Sequence, residues 1–149
     1  ISKGSFAASS DPTVLNGSDV IVIAVPTPLD EARNPDLSYV HAAAQLIHNN
    51  VKSPALIINE STSYPGTLRK EIAAHITGVE HLYASSPERV DPGNTEWGTR
   101  NTPRLIGGTT VTSYWTGTTT RQAGLTKAPS LSRLHLDGPV GLSRMAVLT

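Results

Sequence analysis

The apolar positions of this chain fall into short runs, and their period changes along the sequence. Residues 19–25 contain Val20-Ile21-Val22-Ile23-Ala24-Val25 without a polar break. A continuous, mostly β-branched run has no wet face. It therefore predicts a strand covered on both sides, as in a parallel sheet. Pro26 and Pro28 end it, because proline removes a ladder donor and fixes φ. From residue 36 the pattern becomes helical. Asp36 is suited to cap the helix, and Leu37, Val40, Ala44 and Ile47 share one face up to about residue 49. Ala55-Leu56-Ile57-Ile58-Asn59 predicts a second strand. Leu68, Ile72 and Ile76 give one side of a second helix over 67–76. Residues 81–84 predict a third strand, followed by a polar loop over 85–104. Leu105-Ile106 predicts a short fourth strand, stopped by Gly107-Gly108. Alternating strands and helices imply right-handed crossovers and a parallel sheet. The expected class is α/β, half of a doubly wound nucleotide-binding domain.

Composition narrows the function classes. With 149 residues the chain is long enough for one domain with a substantial core. Twelve basic and twelve acidic residues cancel, which gives no general attraction to nucleic acid or to an anionic membrane. The longest apolar run is far too short to span a bilayer. Zero cysteines exclude disulfides, thiolate metal sites and a cysteine nucleophile within the chain. Charge is uneven: eight basic and eleven acidic residues precede Thr109, and four basic and one acidic follow. That later stretch is rich in Ser and Thr and has no sustained apolar period, so a mobile tail is expected over 111–149.

The candidate chemistry follows the strands. In open α/β sheets, ligands bind at the carboxyl ends of the strands. Thr27, Thr62 and Glu88 each follow a predicted strand and should converge on one crevice. Thr27, between prolines, could hold a hydroxyl against a flat cofactor or simply end a strand. Ser61 and Thr62 could cap the next helix, where anionic groups also bind. Glu88 could act as a base or order a water in a partly dry crevice, or form a loop salt bridge with Arg89 or Arg100. Other constellations are weaker. His41, Gln45 and His48 share a helix face without an acidic partner for a metal. Trp97 and Trp115 are isolated. Neither a Gly-x-Ser-x-Gly elbow nor a Gly-x-x-x-x-Gly-Lys phosphate loop occurs.

Four patches carry a more specific signal: Val25-Pro26-Thr27-Pro28-Leu29, Glu60-Ser61-Thr62, Ser86-Pro87-Glu88-Arg89-Val90-Asp91-Pro92-Gly93-Asn94 and Ile106-Gly107-Gly108. In this order and spacing they resemble the nucleotide-sugar 6-dehydrogenases, and among them the UDP-N-acetylmannosamine and UDP-N-acetylglucosamine dehydrogenases. The resemblance covers residues 4–110. It implies a Rossmann-like NAD-binding domain of which residues 1–110 supply the second half, without the first Gly-rich βαβ unit. It implies NAD as cofactor and a UDP-sugar as substrate, with the sugar C6 hydroxymethyl oxidised to a carboxylate through a cysteine thiohemiacetal and thioester. By the same resemblance Val25, Pro26, Thr27, Ser61 and Thr62 face NAD, and Thr62 and Glu88 take part in catalysis. Glu88, Arg89, Val90 and Asp91 face the sugar nucleotide. A cytoplasmic homodimer without nucleic-acid or membrane partners is implied for the parent. With no cysteine and no Gly-rich fingerprint before Ile1, the chain is expected to be an internal fragment, inactive by itself. Two other readings stand beside this one: a non-catalytic α/β binding module, and another NAD-dependent oxidoreductase of the 3-hydroxyacyl type. The motif over 86–94 speaks against the latter.

Overall fold

The computed structural model describes residues 7–89, 93–96, 102, 105–110 and 145–149. Among these residues the strands are β1 (Val20–Ile23), β2 (Leu56–Asn59), β3 (Leu82–Ser85), β4 (Gly107–Gly108) and β5 (Met145–Leu148), with one regular helix, α1 (Ser38–Asn50). The strands form a single sheet in the order β4-β3-β2-β1-β5. β1, β2, β3 and β5 run parallel, and β4 is antiparallel to β3.

The unbroken apolar run of β1 has the cause expected from its sequence. Alternate residues point to opposite faces of a strand. Ile21 and Ile23 join a core with Ile57, Tyr83, Val40, Ala44 and Ile47 on one face of the sheet. Val20 and Val22 join Leu56, Ile58 and Ala84 in a second cluster on the other. All four β1 residues are buried. α1 packs its expected face, with Val40, Ala43, Ala44 and Ile47 buried and Leu37 packed at its start. The Asp36 carboxylate accepts from the Ser38 amide at 2.9 Å, and that bond holds its pKa below the ordinary carboxylate value.

The second helix takes a different form. Leu68–Ile72 make a π-helical turn, and Ala73–His75 a tighter 3-10 turn. The Ala73 amide is shared between the Arg69 and Leu68 carbonyls, which widens the turn. Ile72 and Ile76 are still buried and Leu68 still packs on the core, so the apolar face is kept while the winding changes. Beside it, Glu71 accepts from the Tyr64 hydroxyl at 2.8 Å and lies 2.9 Å from His41 Nε2. The Tyr64 bond foremost, then His41, lowers the Glu71 pKa.

Two expectations at the sheet edges are corrected. The short fourth strand falls on Gly107–Gly108, not on Leu105-Ile106. It runs antiparallel to β3, and the Thr109 amide bonds the Tyr83 carbonyl at 3.0 Å. The tail is not without order at its end, since Met145–Leu148 form β5. β5 pairs with β1 from Val20↔Met145 to Ile23↔Leu148, so the edge of β1 is covered. Four residues are too few for a helical period. Their strand character is visible only once β1 offers a row of unpaired groups. Ala146 and Leu148 pack on the α1-side core, whereas Met145 and Val147 are 63% and 52% exposed on the other face. The remainder of the expected tail, 111–144, lies outside the described residues. Removing residues 145–149 should return the apolar β1 edge to solvent and shift the chain to larger species at micromolar concentration, measured by light scattering. An unchanged mass would mean that β5 does not protect this edge.

At the opposite end of the sheet, His81 is buried and its Nδ1 accepts from the Ala55 amide at 3.2 Å. Burial pushes its pKa below the ordinary value of 6.5. The unfolded chain therefore binds more protons in the window below 6.5, and stability is fully present above it and lost as pH falls through it. The thermal midpoint should decline between pH 7 and pH 5, and His81→Leu should flatten that part of the slope.

Candidate functional site

The parallel register aligns the carboxyl ends of three strands. Ile23 of β1 is level with Asn59 of β2, which is level with Ser85 of β3. The polar patches leave the sheet within a few residues of this line, so Thr27, Ser61, Thr62, Glu88 and Arg89 lie on loops along one crest. Val90 and Asp91 are outside the described residues.

The β1 loop is stiff. The Pro28 carbonyl accepts from the Asp36 amide at 2.8 Å, tying the turn to the start of α1. Between them the chain closes a small hairpin, with Leu29 bridged to Pro35 and Asp30 accepting from the Asn34 amide at 2.7 Å. Thr27 is half-buried between an exposed Pro26 and an exposed Pro28. Val25 is half-buried, and its carbonyl accepts from the Ser61 hydroxyl at 2.8 Å. Ser61 is thus buried and committed to holding the β1 and β2 loops together.

Thr62 is exposed at the top of the second loop. It precedes the π-helical turn by several residues and caps nothing there; Thr67 is the residue at that start, and its hydroxyl donates to the Tyr64 carbonyl at 2.8 Å. The hydroxyls of Thr27 and Thr62 make no hydrogen bond among the described residues. Glu88 and Arg89 are exposed, and Glu88 Oε1 accepts from the Arg89 amide at 2.7 Å. The expectation of a partly dry crevice around Glu88 is not met. The described residues build one open wall.

Asn59 was legible only as the end of an apolar run, yet it is central to this wall. It is 0% exposed. Its carbonyl accepts from the Ser86 amide at 2.9 Å, at the root of the Glu88 loop. Its Nδ2 donates to the Ser61 carbonyl and the Ser63 hydroxyl, each at 3.2 Å, on either side of Thr62. Its Oδ1 is buried with no hydrogen-bond donor among the described residues. The signal in the sequence was a polar residue closing Leu-Ile-Ile, where the sheet is covered on both faces.

The crest offers neutral hydroxyls and prolyl turns, and no glycine stands in 24–28, 60–63 or 86–89. Such a set suits an amide and sugar hydroxyls. A pyrophosphate needs the backbone donors of a glycine turn at a helix N-terminus, which these loops do not supply. The described residues hold no group of three or more His, Asp or Glu placed to bind a metal, and no described helix is long and apolar enough to cross a membrane.

Comparison with known proteins gives consistent results. The profile described as UDP-glucose/GDP-mannose dehydrogenase family, NAD binding domain, matches residues 1–120. The UDP-N-acetyl-D-mannosamine dehydrogenase of Pyrococcus horikoshii is 36% identical over 114 residues, 72% of this chain and 27% of that protein. The UDP-N-acetyl-D-glucosamine 6-dehydrogenase of Pseudomonas aeruginosa is 32% identical over 103 residues, 64% of this chain and 24% of that protein. Among solved structures, the UDP-D-ManNAc dehydrogenase of Pyrococcus horikoshii superposes with a TM-score of 0.70 at 27% identity, over 93% of this chain and 31% of that one. The chain thus spans about a quarter to a third of the proteins it matches.

Proposed function

The chain belongs to the UDP-glucose/GDP-mannose dehydrogenase family, as part of its NAD-binding domain, and from that premise we propose that it forms the nicotinamide-side wall of an NAD-dependent UDP-sugar 6-dehydrogenase. The parent enzyme, a cytoplasmic homodimer in this reading, oxidises the C6 hydroxymethyl of a UDP-linked sugar to a carboxylate. NAD, when bound, supplies the hydride acceptor. The observation that carries the proposal is the alignment of the β1, β2 and β3 ends, which sets Thr27, Thr62 and Glu88 along one crest.

The residues divide the work by position. Thr27 and Thr62 each bring a hydroxyl with no other partner among the described residues, suited to the carboxamide or ribose of the cofactor. Val25, Pro26 and Ser61 fix the loop geometry between them. Glu88 brings a carboxylate that can take a proton from the reacting hydroxyl or orient a water. Arg89 offers a guanidinium fork to a diphosphate or carboxylate, and Val90 and Asp91 continue the same sugar-nucleotide wall. Without a pyrophosphate cradle or a cysteine, this chain does not turn over alone.

Titration calorimetry should show no tight, stoichiometric binding of NAD. Amide chemical shifts at millimolar NAD should change at Thr27 and at residues 61–63 before they change elsewhere. Tight binding, or shifts gathered at the His81 end of the sheet, would overturn the reading.

A further inference from the structure

The loops that bear Thr27, Thr62 and Glu88 come from three separate strands, and the middle one is bonded to both neighbours and braced from within by the buried Asn59 side chain. We propose that Asn59 is a positioning residue, whose side chain fixes the shape of the Thr62 loop and so the place of Thr62 between the loops on either side. The inference rests on the reading of the crest as the cofactor wall, but its test does not use the cofactor.

The connections run through short bonds. Asn59 Nδ2 reaches the Ser61 carbonyl and the Ser63 hydroxyl at 3.2 Å each, so it closes a bracket with Thr62 at the tip. The Ser61 hydroxyl carries the link onward to the Val25 carbonyl at 2.8 Å, at the root of the Thr27 turn. On the other side, the Asn59 carbonyl takes the Ser86 amide at 2.9 Å, two residues before Glu88.

The energetics argue that this arrangement is not there for stability. Asn59 Oδ1 is fully buried and meets no donor among the described residues. A buried acceptor without a partner costs its desolvation, whereas an apolar residue of similar shape would cost nothing of the kind. Its strand neighbours Leu56, Ile57 and Ile58 are apolar and buried. An asparagine is therefore the expensive choice at this point of the sheet. What it provides is a pair of donors aimed along the loop, which no apolar side chain can supply.

This separates two outcomes in the 149-residue chain. Asn59→Leu should leave the thermal midpoint unchanged or raised, because the orphaned acceptor is gone. At the same time the Thr62 amide should loosen, with its 15N order parameter falling from about 0.85 to below about 0.6. Ser63→Ala is the milder variant, since it removes one acceptor of Asn59 at the edge of the core and cannot unfold the sheet. It should shift the Asn59 side-chain amide resonances and lower the Thr62 order parameter, with the midpoint unchanged. A merely structural Asn59 would show the reverse, with a lower midpoint and an unaltered Thr62. That result, or silent Asn59 resonances in Ser63→Ala, would overturn the proposal. Should the loop loosen as expected while NAD perturbs a different surface, the positioning role stands and the cofactor reading fails.

Discussion

Glu88→Gln, in a complete dehydrogenase that carries this chain, is expected to lower turnover by about 10²–10⁴, the usual range for losing a positioned acid–base group. The exchange keeps the size of the side chain and its acceptor toward the Arg89 amide, a bond of 2.7 Å that orders the start of the loop. It removes the charge and the basic oxygen. NAD affinity should change little, because the hydroxyls proposed to face the cofactor come from the other two loops. If Glu88 orders the water that hydrolyses the thioester, the acyl-enzyme should accumulate on the parent's cysteine and be visible by intact-protein mass spectrometry. Thr62→Ala should do less, since it removes one hydrogen bond worth about 0.5–1.5 kcal/mol. Near-normal turnover of Glu88→Gln would leave the residue as a loop anchor for Arg89 and nothing more.

The largest effect on stability is expected at Ile57→Ala. Ile57 is 0% exposed at the centre of the sheet, level with Ile21 on one side and Tyr83 on the other. Its side chain faces the core against α1. Neighbours on parallel strands are held in register by the ladder and cannot collapse into the space left behind. Truncations of this kind cost about 2–5 kcal/mol, the transfer of the lost carbons plus the cavity. A typical domain has only about 5–15 kcal/mol to lose. Urea unfolding should therefore show a midpoint lowered by a large fraction of the whole, with an unchanged slope. Val147→Ala, on the exposed face of β5, should stay within about 0.5 kcal/mol of the parent. Equal effects at the two positions would mean that the sheet is not the core of the fold.

Sequence alone was sufficient where a residue's environment depends on its near neighbours. The run at 20–25 could only be a strand covered on both faces, because it offers no polar side to water, and both clusters are present. The helical spacing from Leu37 to Ile47 predicted the buried stripe of α1, since side chains one turn apart share a face. The polar patches after each strand placed the crest, because parallel strands must end on the same side.

Tertiary structure decided what depends on distant partners. The winding of 68–75 is one such case: its apolar face was legible, but the shared Ala73 amide was not. β5 is another, a four-residue strand specified less by its own letters than by the open edge of β1. The roles of Ser61 and Asn59 belong here as well. By sequence Ser61 was a cofactor neighbour and Asn59 the last letter of a strand. The fold buries both and turns the Ser61 hydroxyl onto the Val25 carbonyl and the Asn59 amide nitrogen onto the Ser61 carbonyl and Ser63 hydroxyl, because a buried donor finds its acceptors in whatever the packing brings within reach.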